Sequence, residues 1–592
     1  MTRAAEERAG LKLEDGSRIG VVGGGPAGSF FTYFALELAE RAGLDIKVDV
    51  YDAKDFSCYG PKGCNHCGGI VSESLVQVLA TEGIKLPPGV VQRGIQSYVM
   101  HTESGVVEID TPLHEKRIAA MHRGGGPLGT KDSTWKSFDG YLRELTALKG
   151  ARLINDRVEK LALVEGRPSV STRRGASETY DLLVGAVGVN GPTQKLFEGL
   201  GFGYRPPRTT KTFLCEFPMG KDLVDSYFGN AMHVFLLDLP RLEFGALIPK
   251  GSFVTMCLLG EAIDRDLVAS FLKAPEVKRC FPPDMDLPRA HTCQCFPKIS
   301  VRGADRFFTD RVLLLGDCGV TRLYKDGIGA AYMSAKAAAA TVVFEGISRD
   351  ALRRHYYPTC RATAVDNALG KAIFAFTTLV KKLPVLKNGV QGMVESESSM
   401  EGGRRRMSMV LWDTFTGSAP YRDILLRAMD PRFTASLVWH TLAGVLPHMA
   451  AGKPKEGAVG SENLGKVYQD GEEIVTQGEP GECMYVIQSG RVAVVQTKDG
   501  KDVHLAELGE GDFFGEMALF EREVRSTNIR AMGEVRVLTV DRKTLLRRIR
   551  MDPSLAFRML ERMSFRIREL NSRQRPIRAP GGGGGERAGE PG

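Results

Sequence analysis

Residues 18–28 read RIGVVGGGPAG and decide the fold of the first part of this 592-residue chain. An apolar run leads directly into a glycine-rich turn, and the pattern of residues 29–42 predicts a helix. A second apolar run, residues 47–51, ends in Asp52. Strand, glycine turn, helix and strand form a βαβ unit. With Gly-x-Gly-x-x-Gly in its first turn, such a unit predicts a dinucleotide site.

The positions of this turn have separate physical tasks. Gly23 permits the tight turn, Gly25 lets the backbone approach a pyrophosphate, and Gly28 allows close packing of the helix, whose N-terminus attracts phosphate. We expect Asp52 to accept hydrogen bonds from the adenosine ribose. The motif alone does not separate NAD from FAD. The predicted cofactor-binding residues of the unit are Gly23, Gly25, Pro26, Ala27, Gly28 and Asp52.

Length and composition indicate a folded chain of two or three domains. Hydrophobic residues make up 43% and charged residues 25%, and the formal net charge is +8, which suits acidic ligands, phosphates or anionic lipid. No apolar run approaches the roughly 18 residues of a membrane span, and no secretory signal is visible. The eleven scattered cysteines favour a reducing compartment. We therefore expect a cytoplasmic protein, with peripheral contact at a membrane as an alternative.

Two further segments point to one cofactor. Residues 180–191 (YDLLVGAVGVNG) and 311–329 (RVLLLGDCGVTRLYKDGIG) resemble the flavoprotein family that includes geranylgeranyl reductases, squalene epoxidase-like enzymes and aromatic hydroxylases. The resemblance implies FAD, with Asp317 on a ribityl hydroxyl. It also implies that Gly327 and Gly329 open a helix whose N-terminus faces the flavin pyrimidine, where negative charge develops on reduction. By the same resemblance, FAD contacts include Arg123 and Val158.

Residues 61–72 (PKGCNHCGGIVS) resemble the Cys-Gly-Gly segment that geranylgeranyl reductases place beside the flavin. This implies a catalytic role for Cys67, in shaping the substrate pocket or relaying a proton. An active-site turn without metal is the favoured interpretation. A redox disulfide between Cys64 and Cys67, or half of a zinc or iron–sulfur site involving Cys58 or His66, are the alternatives. No second cysteine pair has the usual spacing, so we predict no metal.

The sequence departs from the geranylgeranyl reductases near the expected substrate. The aromatic motif that forms a substrate wall in those reductases falls here at residues 244–249 (FGALIP), where only the proline and the apolar character remain. The proline that usually follows their Gly-Asp pair is replaced here around Tyr324, Lys325 and Asp326. We therefore expect an FAD-dependent oxidoreductase for a hydrophobic substrate, such as an isoprenoid or unsaturated lipid. A flavin monooxygenase and a non-catalytic redox sensor are the alternatives. No second dinucleotide motif follows, so the electron donor is NAD(P)H bound transiently, or ferredoxin.

Residues 514–531 (FGEMALFEREVRSTNIRA) resemble the phosphate-binding cassette of cyclic-nucleotide-binding domains. The resemblance implies that backbone N–H groups near Gly515 cradle the cyclic phosphate, Glu516 accepts the ribose 2′-OH, and Arg525 pairs with the phosphate. Ser526 and Thr527 then offer hydroxyls to phosphate or base, and Thr527 leaves the choice of cAMP or cGMP open. No DNA-binding element follows, so we expect no nucleic-acid partner and a regulatory role for the module.

The expected architecture is an α/β FAD-binding Rossmann-like domain with an inserted mixed β-sheet substrate domain and a helical C-terminal segment, followed by an all-β jelly roll or barrel. Short strands at residues 469–476, 483–488, 491–497, 502–508 and 535–541 and a helix near 553–570 would form the barrel. The expected divisions are an arm (1–16), the FAD domain (17–350, substrate subdomain about 205–295), the helical segment (351–450), a linker (451–462), the nucleotide-binding domain (463–571) and a disordered tail (572–592).

Overall fold

The computed structural model describes residues 11–111, 115–130, 134–398, 400, 405–443, 463–498, 500–517, 519, 524–551 and 553–573. The expected linker, residues 451–462, lies outside these ranges, as do residues 1–10 of the expected arm and residues 574–592 of the expected tail. The chain divides into two compact units. The first comprises Met1–Leu79 and Lys85–Lys466, and the second comprises Ala80–Ile84 and Val467–Gly592.

The first unit is built on a six-stranded sheet with Ser17–Val22 near its middle. This strand pairs in parallel with Ile46–Tyr51 on one side and Leu182–Gly185 on the other. Nearly every residue of these three strands is buried, as is usual at the centre of a parallel sheet. The strand order across the sheet is Phe308–Thr309, Val312–Leu314, Leu182–Gly185, Ser17–Val22, Ile46–Tyr51 and Arg152–Ile154.

Two helices pack together against this sheet. Pro26–Ala42 follows the glycine turn and ends at Gly43, whose φ of 68° closes the helix in the left-handed conformation. The other, Gly327–Ala340, continues as a π-helical turn to Glu345. Gly327–Glu345 is long and apolar enough to cross a membrane, contrary to the sequence expectation, but 61% of that window is buried inside the fold. It is a core helix of this unit by its packing.

A seven-stranded mixed sheet forms the other large part of the unit. It extends beyond the predicted segment 205–295, because two strands from the preceding region, Ser97–Thr102 and Gly105–Asp110, join its edge. No local sequence pattern indicates this long-range pairing, in which Ser97–Thr102 runs parallel to Ala231–Phe235. The order is Cys293–Cys295, Phe213–Pro218, Phe253–Gly260, Leu242–Lys250, Ala231–Phe235, Ser97–Thr102 and Gly105–Asp110.

Side chains alternate between the two faces of this sheet, and each face has its own apolar core. Met232 and Val234 point into one core, together with Phe244 and Trp412. Phe235 points into the other, which also holds Phe271 and residues from the short helices after the last long strand. The sheet therefore separates two distinct interiors.

Smaller elements complete the first unit. Its minor sheets are Ile70–Val71, Ile118–Met121 and Val91–Ile95; Ser177–Thr179, Arg167–Thr172 and Val158–Val164; and Arg208–Lys211 with Lys298–Arg302. Its remaining helices before residue 340 are Gly60–Lys62, Glu73–Thr81, Phe138–Leu148, Gln194–Glu198, Lys221–Phe228, Arg265–Lys273, Pro275–Lys278 and Gly316–Cys318. The later ones are Arg349–Ala351, Leu352–Tyr356, Tyr357–Lys382, Pro384–Glu397, Arg406–Thr416, Tyr421–Ala428 and Pro431–Ala443.

Two lysines at and just beyond the end of the helix Tyr357–Lys382 are buried, whereas Lys382 itself is exposed. Lys381 is 3% exposed and donates to the backbone carbonyls of Leu242 and Glu243. Lys387 is also buried and pairs with Glu103 at 2.7 Å. These two lysines are therefore held by the fold, and they are neither solvated nor presented to anionic lipid.

The second unit is a β-barrel followed by two helices. Its strands are Lys466–Tyr468, Glu473–Val475, Cys483–Lys498, Lys501–Leu508, Phe513–Phe514 and Asn528–Asp541. The predicted break at Gly490 is wrong: residues 483–498 form one strand, because Gly490, at φ 86°, produces a bulge in the ladder instead of a turn. A helix that the sequence analysis missed, Arg542–Met551, precedes the expected one, which spans Ser554–Arg573.

Candidate functional site

A cavity of about 690 Å³ runs through the first unit. At one end it is lined by the glycine turn, at the other by one face of the seven-stranded sheet. Cavities of this size hold cofactors and drug-sized ligands. Of the predicted cofactor and catalytic residues, those on its wall are Gly23, Gly25, Pro26, Ala27, Asp52, Cys67, Arg123, Val158, Asp317 and Gly327.

The glycine turn has the close contacts that its motif predicts. Gly23 has a φ of 108°, and a Cβ on Gly28 would lie 1.9 Å from the carbonyl oxygen of Gly23, so neither position accepts a side chain without movement. Gly28 itself lies behind the cavity wall, where it allows this packing. The helix begins at Pro26 with no side-chain cap. Its N-terminus therefore offers the cavity backbone N–H groups and the positive end of the helix dipole.

Asp52 lies on the cavity wall at the end of its strand. One carboxylate oxygen accepts the backbone N–H of Gly24 at 2.8 Å, and the other accepts the N–H of Lys54 at 2.8 Å. These bonds fix the carboxylate beside the glycine turn. Each oxygen has a further lone pair for a ligand hydroxyl.

Arg123 brings a fixed positive charge to the same end of the cavity. It makes a bidentate ion pair with the fully buried Asp139, at 2.9 and 2.7 Å. Burial alone would lower the pKa of Arg123, but the Asp139 charge outweighs it and the net shift is upward. Its Nη2 is 3.4 Å from where a Cβ on Gly25 would lie. The Arg123 guanidinium thus stays charged beside Gly25, where the glycine turn leaves room for a ligand.

The predicted flavin-binding segment, residues 311–329, approaches the same cavity. Burial raises the pKa of the Asp317 carboxyl, and the Arg123 charge offsets only part of that rise. Gly327, the first residue of its helix, lines the cavity, and that helix also lacks a side-chain cap. Gly329 does not line it: a Cβ there would lie 2.3 Å from an Asp326 carboxylate oxygen, so its role is close packing.

The cysteine loop forms another part of the wall. The Sγ of Cys67 accepts the backbone N–H of Gly69 at 3.4 Å, and the Sγ of Cys64 accepts that of His66 at 3.2 Å. Lys54 anchors the loop by donating to the Cys64 carbonyl oxygen at 2.8 Å. Cys58, Cys64 and Cys67 are all unbridged thiols. Among the described residues, the group of three donors close enough to share a metal ion lies elsewhere and includes none of them.

Lys325 is a residue of this cavity that sequence reasoning did not select. Its ammonium lies over the ring of Phe244 and burial lowers its pKa to about 7, while the nearby Cys257 opposes the shift. The sequence did contain an indication of this residue, because Lys325 belongs to the segment that replaces the proline usual in geranylgeranyl reductases. A buried amine that titrates near neutrality is suited to donate or accept a proton.

In the second unit the cassette residues lie together but already have internal partners. Arg525 is 7% exposed and donates to the carbonyl oxygens of Gly515 at 2.8 Å and Cys483 at 2.7 Å. Gly515 has a φ of 78°. Ser526 is exposed and Thr527 is half-buried.

Glu516 is also engaged. It is 6% exposed and forms an ion pair at 3.3 Å with Arg566 of the helix Ser554–Arg573. Arg566 further donates to the carbonyl oxygen of Phe513 at 2.6 Å. Sequence reasoning could not find Arg566, because a helix with many arginines gives no sign of which one reaches the cassette.

The family model described as cyclic nucleotide-binding domain matches residues 465–552. Over 80 residues, 13% of this chain and 10% of the relative, the chain is 45% identical to a cGMP-dependent protein kinase, egl-4, of Caenorhabditis elegans. Over 103 residues, 17% of this chain and 46% of the relative, it is 31% identical to a CRP-like cAMP-activated global transcriptional regulator of Mycobacterium tuberculosis. The chain thus spans less than half the length of these relatives, and the similarity establishes a cyclic nucleotide-binding domain in its C-terminal part.

Among solved structures, the chain is similar to a geranylgeranyl bacteriochlorophyll reductase-like protein of Thermoplasma acidophilum. The match covers 70% of this chain and 99% of that one, with a TM-score of 0.49 and 15% sequence identity.

Proposed function

We propose that the first unit binds FAD non-covalently and is an FAD-dependent oxidoreductase. One observation carries this proposal: a single cavity joins the glycine turn, Asp52, Arg123 and the turn containing Asp317. An uncapped helix N-terminus and a fixed guanidinium suit a pyrophosphate. Asp52 suits the adenosine ribose, and Asp317 a ribityl hydroxyl. Bound FAD would supply two-electron redox chemistry, which none of these side chains provides.

The far end of the cavity supports a hydrophobic substrate. The strand Leu242–Lys250 turns alternate side chains toward it, and its neighbours in the sheet do the same. The substrate class we infer is an isoprenoid or other unsaturated lipid, because this wall is apolar and offers few hydrogen-bond partners. The apolar residues are Leu214, Met232, Phe244, Ala246, Ile248, Leu259 and Ile299.

Lys325 is the residue we assign to proton transfer. Reduction of a carbon–carbon double bond requires a hydride and a proton, and the Lys325 ammonium is a proton source inside an apolar wall. Because burial lowers its pKa to about 7, the amine can release its proton near neutral pH and recover one afterwards. Cys67, on the wall beside Gly68 and Gly69, shapes the space where substrate meets cofactor.

The second unit supports regulation by a cyclic mononucleotide. Its cassette holds Glu516 and Arg525 in buried positions, which suit the ribose 2′-OH and the cyclic phosphate respectively. A regulatory effect of about 5- to 150-fold would need about 1–3 kcal/mol of coupling between nucleotide and enzyme. We infer cAMP or cGMP as the ligand.

The test begins with reduction of the purified protein under anaerobic conditions by NAD(P)H or reduced ferredoxin. Reoxidation of the flavin is then followed with polyprenyl lipids, and separately with oxygen. Lipid-dependent reoxidation without oxygen supports the reductase. Reoxidation that requires oxygen and consumes it in step with substrate would identify a monooxygenase. Reoxidation by neither would leave a flavin sensor. Each measurement is repeated with cAMP and with cGMP to detect regulation.

A further inference from the structure

Three metal-ligating side chains converge inside the first unit, away from the cavity. The donor atoms of His101, His233 and Cys280 all lie within 4.8 Å of one another. His101 Nε2 is 3.0 Å from His233 Nδ1, and Cys280 Sγ is 3.4 Å from His233 Nδ1 and 3.8 Å from His101 Nε2. The three side chains are between 4% and 6% exposed.

The fold brings them from three separate segments. His101 and His233 lie on neighbouring parallel strands, and the register pairs His101 with Phe235, two residues beyond His233. Both imidazoles therefore project from the same face of the seven-stranded sheet. Cys280 follows the short helix Pro275–Lys278, which packs over that face. Side chains between 47 and 179 residues apart in sequence thus meet at one point.

The Cys280 thiol can donate to the carbonyl oxygen of Glu276 at 3.5 Å, but the contacts among the three donors also fit a central ion. A neutral ring nitrogen carries one hydrogen or one lone pair, so His233 Nδ1 cannot fully bond both His101 Nε2 and Cys280 Sγ. A triangle with the three observed edges has a centre about 2 Å from each corner, close to the length of Zn–N bonds and slightly short of Zn–S bonds.

The chemistry of the donors agrees with this geometry. Burial lowers the pKa of His101 to about 4 and that of His233 well below its ordinary value, so both imidazoles are neutral, the form that binds metal. Burial raises the pKa of Cys280 to about 12, so without metal it is a thiol. Binding would transfer one proton from the Cys280 thiol to solvent and leave a thiolate on the ion.

We propose that His101, His233 and Cys280 form a buried site for one thiophilic transition-metal ion, of which Zn²⁺ matches the ligand set. Three protein ligands leave the fourth position of a tetrahedral ion to a water molecule. The site lies on the sheet face opposite the one that lines the cavity, since Met232 and Val234 point the other way. Its effect is to fasten the segment around Cys280 onto the sheet. The proposal is independent of the FAD assignment.

The test measures metal content in the full-length protein purified after growth with zinc. Wild type should hold about one zinc per chain, and Cys280→Ser and His233→Gln should lose most of it. Cys360→Ser is the matched control, because Cys360 is equally buried but lies near Tyr356, with no histidine partner. The proposal would be overturned if the wild-type protein contained no zinc and bound none when Zn²⁺ was added. It would also be overturned if the Cys280→Ser and His233→Gln variants retained their zinc.

Zinc-edge X-ray absorption of the wild type keeps the proposal testable if the variants fail to fold. It should show about two nitrogen ligands and one sulfur, at about 2.0 and 2.3 Å. Two or more sulfurs would contradict the proposal, because the site offers one cysteine. Removal of the ion by a chelator should lower Tm while the FAD content is unchanged, and Zn²⁺ should restore Tm.

Discussion

The Lys325 ammonium lies 3.6 Å from the centroid of the Phe244 ring, inside the cavity of the first unit. Two effects act on it in opposite directions. The ring face attracts the charged form, whereas burial disfavours it and lowers the pKa to about 7. The balance leaves an amine that changes charge near neutral pH at the apolar end of the cavity.

Replacing Lys325 should therefore remove a proton donor without removing the cofactor. We expect Lys325→Met to keep FAD and to lower turnover by about 10²- to 10⁴-fold, the usual contribution of general acid catalysis. In wild type, turnover should fall as pH rises through about 7, because the ammonium loses its proton there. Steady-state rates between pH 5.5 and 9 measure this.

The control for that change is Lys382→Met, which alters an exposed lysine of the helix Tyr357–Lys382. It should leave the rate and the pH profile as in wild type. A Lys325→Met enzyme with the wild-type pH profile would show that another group supplies the proton.

Cys67 is expected to affect chemistry and not cofactor retention. It lines the cavity beside Gly68, and its thiol has only a 3.4 Å bond from the Gly69 N–H within the loop. Cys67→Ala should therefore retain FAD but change turnover or the distribution of reduced products. Product analysis by mass spectrometry is the measurement, with Cys58→Ala, which is outside the cavity wall, as control. Kinetics and products identical to wild type would remove Cys67 from the active site.

Local motifs were predictable from the sequence, and long-range convergence was not. The glycine turn and Asp52 lie within one βαβ unit, and the nucleotide cassette is one continuous segment, so spacing alone places their residues. Lys325 meets Phe244 across 81 positions of sequence, and two early strands join the seven-stranded sheet by pairing that no local pattern encodes. The helix Arg542–Met551 begins directly after the strand that ends at Asp541, so no glycine or proline marks its start.

Arg525 should account for a large part of cyclic-nucleotide affinity. Its guanidinium is buried at Gly515, where a phosphate would gain a charge-assisted hydrogen bond. Arg525→Ala should weaken binding by about 1.5–3 kcal/mol. Calorimetry of the full-length protein with cAMP and cGMP measures this. The control is Arg530→Ala, since Arg530 lies in the same barrel and pairs with Asp502 at its surface. Equal affinities in both variants would contradict the assignment.

Arg566 would compete with a cyclic nucleotide for Glu516. The two side chains form an ion pair at 3.3 Å, and a ribose hydroxyl bound by Glu516 would have to share or replace it. Arg566→Ala should therefore tighten cyclic-nucleotide binding several-fold, as titration of the full-length variant would show. Weaker binding in this variant would instead mean that Arg566 contacts the nucleotide, and that its ion pair with Glu516 does not oppose binding.

Flavin content of the Gly25→Val protein tests the central proposal most directly. A Cβ at Gly25 would meet its nearest neighbours at 3.4 Å or more, so the turn accepts the first atom of a side chain. The added bulk of valine should obstruct the approach of a pyrophosphate. Gly199→Ala, which has similar room outside the cavity wall, is the control. Wild type and Gly199→Ala should release about one FAD per chain on denaturation, and folded Gly25→Val almost none. A wild-type protein that is colourless and takes up no added FAD would contradict the proposal, as would full FAD content in Gly25→Val.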